Sequence, residues 1–241
     1  SVLECIVLLS HSRVVCGHLK PVKKTLINYI HYEGIRKNSF FFRRNNMCDQ
    51  LFNAAQKFNI LMEREYHFLL GRKGKSKTVK LNFCAENFFH LVGIHKLNDI
   101  NQSKLRAKEF FFKALAKKIT LEDLGKSSKI NTIMDRLYIV ENLDLILAQN
   151  NEYFQFREKV ILNSKINWDL LIEFCTDELE GYLFLDEYRR NKGTFFCCSC
   201  FSKDRNDYAF KQIRWTLLKV EYIQNGIELP IQVYKSKSYK E

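Results

Sequence analysis

Apolar positions change period part-way along the chain, and the change predicts two kinds of structure. Across residues 49–59 (DQLFNAAQKFN), Leu51, Phe52, Ala55 and Phe58 share one side, which predicts a short amphipathic helix. Shorter periods follow. Residues 65–70 (EYHFLL) and 78–84 (TVKLNFC) flank GRKGKS, and Val79, Leu81 and Phe83 alternate with Lys80 and Asn82. Period-two alternation around a Gly-containing link predicts a β-hairpin. Helical spacing returns at residues 86–97 (ENFFHLVGIHKL), where Phe88, Leu91 and Val92 fall at i, i+3 and i+4. Glu86 suits the first turn of that helix, and Gly93 marks a bend or a close backbone approach.

Further along, residues 103–118 predict a long basic helix with Phe110, Phe111 and Phe112 turned inward. Thr120 and Asp123 have capping-box spacing. Residues 131–149 predict one regular helix with a stripe through Ile133, Leu137, Val140, Asp144 and Leu147. Residues 151–159 fit helix or strand. Four strand-like runs follow, 168–175, 181–188, 194–201 and 215–223, joined by turn-compatible links. The pattern predicts an α+β fold: an antiparallel β-sheet, made of the hairpin plus a C-terminal meander, packed against several helices. Residues 225–241 read as a charged tail, frayed from Gln232 onward.

Residues 1–46 look different. They contain no Met, carry basic residues such as Lys23, Lys24, Arg43 and Arg44, and have poor hydrophobic periodicity. The expectation is a peripheral basic extension outside a folded domain spanning 47–224, or an upstream-reading artefact. The alternative is a basic helical arm around residues 20–31.

Composition narrows the function. An apolar fraction of 46% with 20 Phe and 11 Tyr supports a sizeable core, and 2 Pro with 9 Gly imply long elements and few linkers. A net charge of +12 points to a polyanion such as nucleic acid, or to an acidic membrane surface; the plain alternative is a Lys-rich soluble chain. The 8 Cys follow no paired spacing, so a reduced, cytoplasmic setting is expected. No apolar run is long enough to span a bilayer, and residues 2–9 lack a basic leader, so neither membrane nor secretion is expected.

Several chemistries are weak. Gly74-Lys75-Ser76 ends like a P-loop, but Leu69 stands where the motif needs Gly, and a strand pattern follows. Cys198 and Cys200 are one residue apart on a strand, which predicts a shared face, but no second Cys or His pair has zinc spacing. The expectation is no metal and no cofactor, with the cysteines as small apolar residues. What the chain offers is histidine among cations and hydroxyls: His90, His95 and Lys96, then Arg157, Arg189, Arg190, Ser199 and Ser202. That set suits metal-free RNA cleavage, with imidazole moving a proton and cations steadying phosphate charge. The bland alternative is a core helix whose histidines make ordinary hydrogen bonds.

NFFHLVGIHKL resembles the Asn-aromatic-aromatic-His-Leu-x-Gly signature of a phage-associated family in the barnase, EndoU, colicin and RelE-like nuclease group. The resemblance extends over roughly residues 47–224, through YFQFRE (153–158), KINWDLLIEF (165–174), Ser199 to Phe201, and Tyr208. It implies an α+β domain and an RNA endonuclease role in phage or toxin settings. Carried over, His90 matches the motif histidine, Gly93 its glycine, Ser199 a strand hydroxyl and Arg157 a basic residue after the central helices. His95 and Lys96 lie just beyond the motif. The expected reaction is attack of a 2′-hydroxyl on the adjacent phosphate. His90 would serve as general base or acid, Arg157 would stabilise the phosphorane, and Ser199 would hold a non-bridging oxygen. Lys75, Lys80, Lys104 and Lys108 are candidates for the RNA backbone. RNA is the expected partner, with an antitoxin or a host protein as further candidates. The alternative is a degenerate fold that binds RNA or protein without cutting.

Overall fold

The computed structural model describes residues 49–157, 166–204 and 206–240. All of them lie in the unit running from Cys48 to Glu241. The expected extension at 1–46 falls outside the described residues.

Among the described residues the first helix, α1 (Gln50–Leu61), buries Leu51, Ala54, Ala55, Phe58 and Leu61. Asp49 caps it by accepting from Phe52 N (3.4 Å), and the same Oδ1 accepts from Leu121 N (3.1 Å), tying it to α4 (Leu121–Leu124). Strands β1 (Arg64–Arg72) and β2 (Lys75–Asn82) form the hairpin. Only Lys73 and Gly74 lie between the paired Arg72 and Lys75, with φ of 48° and 76°. Two consecutive positive φ values make the twist-matched turn that two-residue hairpins prefer. Helix α2 (Ala85–Val92) follows, then 3₁₀ turns at Ile94–Lys96 and Asn101–Lys104, and α3 (Ala107–Leu115). Helices α5 (Asn131–Glu141) and α6 (Leu143–Leu147) precede β3 (Glu152–Gln155), β4 (Leu170–Cys175), β5 (Glu180–Glu187), β6 (Thr194–Ser202), β7 (Ile213–Gln224) and β8 (Ile231–Lys235).

The α+β class holds, but the antiparallel open sheet does not. The strands run β1-β2-β6-β5-β4-β3-β7, and β7 pairs back onto β1. They close a seven-stranded barrel, with β8 added beside β7. One pair is parallel, β2 with β6, in register from Lys80↔Thr194 to Asn82↔Phe196. Consecutive pairing is the default for a meander, and β4, β5 and β6 obey it. Closure comes from β7, whose 12 residues are long enough to serve two partners. Its start pairs β3 (Trp215↔Tyr153), and its longer remainder pairs β1 (Thr216↔Gly71 to Gln224↔Arg64). Closing the ring pairs backbone that an open sheet would leave bare. Bulges bend the wall: Leu218 is skipped where β7 meets β1, and Cys198 where β6 meets β5.

Local expectations are refined at the helices. The basic helix spans only Ala107–Leu115, because Leu105 and Arg106 are extended and Lys117 is left-handed. Phe110 and Phe111 are fully buried, whereas Phe112 is 48% exposed. The single helix over 131–149 is two, broken at Asn142, whose side chain donates to Tyr138 O (2.9 Å). Residues 151–157 resolve as strand β3 and its exit, and the tail expected to fray from Gln232 includes β8.

Helices and the inner strand faces share one core. Phe58, Phe83, Phe88 and Phe111 meet edge-to-face or tilted, with Phe88 5.4 Å from Phe58 and 5.3 Å from Phe111. Each such pair adds about 0.5–1.5 kcal/mol beyond its buried area and holds α2 in place. A second cluster, with Phe154, Trp168, Leu171, Tyr182, Phe184 and Tyr208, covers the outer face of β3–β6.

Candidate active site

Helix α2 starts where Cys84 leaves extended geometry, with Asn87 Oδ1 accepting from Cys84 N (2.9 Å). Glu86 stands in its first turn, as the helix dipole favours. Phe88, Phe89, Leu91 and Val92 are buried, so His90 is left on the solvent side of the last turn. Gly93 ends the helix at φ 83°, and its N donates to Phe89 O (3.2 Å). That left-handed residue turns the chain at once into the Ile94–Lys96 turn, closed by Lys96 N to Gly93 O (2.9 Å) and Leu97 N to Ile94 O (3.0 Å). Ile94 and Leu97 are fully buried and pin the turn, which leaves His95 and Lys96 facing out.

The reversal brings the two histidines together. Their ring centroids are 5.9 Å apart, and Phe89 lies 5.5 Å from His90 and 6.5 Å from His95. Arg136 of α5 completes the group. It is buried at 5% exposure, donates from Nη1 to Leu91 O (3.3 Å), and lies 5.4 Å from the Phe201 ring. The same carbonyl accepts from Cys200 Sγ (3.4 Å). A Cβ on Gly93 would stand 2.9 Å from Arg136 Cδ, so the glycine also makes room for the arginine.

Electrostatics follow from this crowding. Partial desolvation is the first cause that lowers the His95 pKa; Arg136, His90 and Lys96 lower it further. Lys96 is lowered by the same desolvation and by Arg136. Burial also opposes the charge on Arg136, though a guanidinium stays protonated near neutral pH. The result is a neutral imidazole able to take a proton, a second imidazole beside it, and two cations that attract an anion.

The other sequence candidates have different settings. Arg157 is exposed just past β3, with its N donating to Gln212 Oε1 (2.8 Å), and β4 and β5 separate β3 from β6 in the wall. Ser199 is half-buried on β6, paired with Phe184 beside the Cys198 bulge. The hydroxyl that β6 presents to α5 is Ser202's, which donates to Asp135 Oδ2 (2.7 Å). The bulge also parts Cys198 from Cys200, contrary to the shared face expected from their spacing: Cys200 joins the main core and Cys198 the outer cluster. Lys75 and Lys80 are exposed on the hairpin, Lys108 is exposed on α3, and Lys104 is on the turn packed against Ile94–Lys96. Arg136 is the residue that sequence reasoning missed. Its signal was a cation three residues after Ile133 and directly before Leu137, in the buried stripe of a helix.

A cleft of about 380 Å³ opens between Glu152, Glu173 and Glu180, away from the histidines, and its acidic lining disfavours a polyanion. Among the described residues, no helix is long and apolar enough to cross a membrane.

Comparison with curated proteins and with solved structures gave no match. The sequence model of one family matches residues 50–236, which takes in the barrel, the helices and all of the histidine group. The chain therefore belongs to the family described as phage-Barnase-EndoU-ColicinE5/D-RelE like nuclease 4, and its function class is that of a nuclease.

Proposed function

We propose that the protein is a metal-independent RNA endonuclease centred on His90 and His95. The observation that carries this is the pair of imidazoles 5.9 Å apart, crowded by Lys96 and the buried Arg136. His95, held neutral by its surroundings, takes the proton of a ribose 2′-hydroxyl as that oxygen bonds phosphorus. His90, exposed beside it, gives a proton to the departing 5′-oxygen. The products are a 2′,3′-cyclic phosphate and a 5′-hydroxyl. Lys96 and Arg136 offset the charge that builds on the non-bridging oxygens. Arg157 and Ser199 enter as contacts of a longer bound strand, outside the histidine group.

Labelled RNA incubated in EDTA tests the reading. His90→Ala and His95→Ala are each expected to lower cleavage by about 10²–10⁴-fold, the usual contribution of a positioned acid or base. Because a depressed pKa keeps His95 neutral to lower pH, the acid limb of the rate should fall below the ordinary imidazole value of 6.5. Matched DNA without 2′-hydroxyls should remain whole. Cutting of that DNA, or undiminished cutting of RNA by His90→Ala, overturns the mechanism. RNA retention without any cutting supports a binding module instead.

A further inference from the structure

The outer face of the β1–β2 hairpin carries a second set of titratable groups that the histidine group does not use. Tyr66, Phe68, Val79 and Leu81 point into the core, so the alternate residues Glu65, His67, Lys80 and Asn82 point outward. Glu65 is the centre of the set. His67 Nε2 lies 2.5 Å from Glu65 Oε1, Asn82 Nδ2 donates to Oε2 (3.2 Å), and Lys80 Nζ is 3.7 Å from Oε1. On the other side of β1, Glu221 of β7 is the register partner of His67 and pairs with Lys219 (3.0 Å). Side-chain exposures of 16% for His67, 33% for Glu65 and 47% for Lys80 describe a set that is partly desolvated yet reachable.

This is acid–base geometry. A carboxylate only accepts, so Nε2 carries the hydrogen, and in the neutral imidazole Nδ1 keeps the lone pair. Asn82 fixes the carboxylate that fixes the ring, the nested support that an oriented general base requires. The donors around Glu65 lower its pKa despite partial burial, so it stays ionised as the imidazole's anchor. Cations flank the face. Lys80 N donates to Gly193 O (2.9 Å), and the loop supplying that carbonyl exposes Arg189, Arg190 and Lys192. Arg72, Lys73 and Lys75 are exposed at the hairpin tip.

We propose that Glu65, His67 and Lys80 form a second proton-transfer centre for RNA phosphodiesters, separate from His90 and His95. It rests on the nuclease reading above only for its substrate class. His67 Nδ1 takes the 2′-hydroxyl proton as the 2′-oxygen bonds phosphorus. The P–O5′ bond breaks, O5′ leaves with a proton from water, and the resulting hydroxide recovers the proton from His67. Lys80 faces the charge on the non-bridging oxygens, and Glu65 is a positioning residue.

The test uses the full chain, labelled single-stranded RNA and EDTA, with His67→Gln, Lys80→Ala and the double variant His90→Gln/His95→Gln, each checked for an unchanged thermal unfolding profile. In the double variant, cleavage should persist with its own fragment pattern. Adding His67→Gln should then lower it about a hundredfold. Adding Lys80→Ala, which removes an exposed side chain, should lower kcat severalfold. If neither addition changes the rate or fragments, the second centre is overturned and the helix histidines stand. If the double variant cuts nothing while His67→Gln alone cuts normally, the second centre is likewise overturned. If His67→Gln abolishes cutting and the double variant cuts normally, the helix-histidine reading falls and the hairpin centre remains.

Discussion

At the scale of single residues, Gly93 and Arg136 constrain each other. Gly93 needs a left-handed backbone, and a side chain there would press on Arg136 Cδ at 2.9 Å. Gly93→Ala should therefore cost about 1–2 kcal/mol from the backbone conformation alone, read by urea unfolding. By pushing Arg136 aside, it should also let His95 titrate closer to its ordinary value, read by NMR. Asp99 supplies a second residue-scale prediction. Ser127 Oγ donates to it at 2.5 Å, Ser128 N and Oγ at 2.8 and 2.9 Å, and its pKa falls to about 2. A carboxylate with a depressed folded pKa contributes stability that is full above its unfolded value of 3.8 and is lost as pH falls toward about 2. Asp99→Asn should remove that part of the acid dependence, and a melting-temperature series from pH 2 to pH 6 checks it. Gly93 was legible as a backbone requirement in the chain itself. Arg136 was not, because its meaning depends on which face of α5 meets α2.

At the scale of elements, the three adjacent phenylalanines of α3 show where periodicity stops being informative. Three consecutive helix positions span about 200° of the helix circumference, so they cannot all face one core. Packing against α2 selects Phe110 and Phe111 and leaves Phe112 at 48% exposure. Phe111→Ala should cost about 3–5 kcal/mol. Phe112→Ala should stay within about 1 kcal/mol, and chemical denaturation separates the two. The hairpin, α1 and the strands β4 to β7 were legible because their alternation or helical spacing is local. The break at Asn142 was not, since an Asn side chain bonding back to Tyr138 O leaves no mark on the apolar stripe.

At the scale of the whole molecule, charge and closure act together. A net charge of +12 on a nuclease predicts nucleic-acid binding that weakens steeply with salt. For single-stranded RNA, each lost phosphate contact should reduce the slope of log affinity against log salt by about 0.7. Lys80→Ala and Lys104→Ala, measured by filter binding across a salt series, check whether either residue makes one. Local pattern by itself determined the hairpin, α1, the strands β4 to β7, the α+β class and the basic balance, because each depends on residues close together in the chain. Only the tertiary structure decided that β7 closes the barrel onto β1 and that β2 runs parallel to β6. It also decided that Arg136 joins His90 and His95. These are pairings between distant segments. They are set by how buried faces and unpaired strand edges satisfy one another, a requirement that no single stretch of the chain contains.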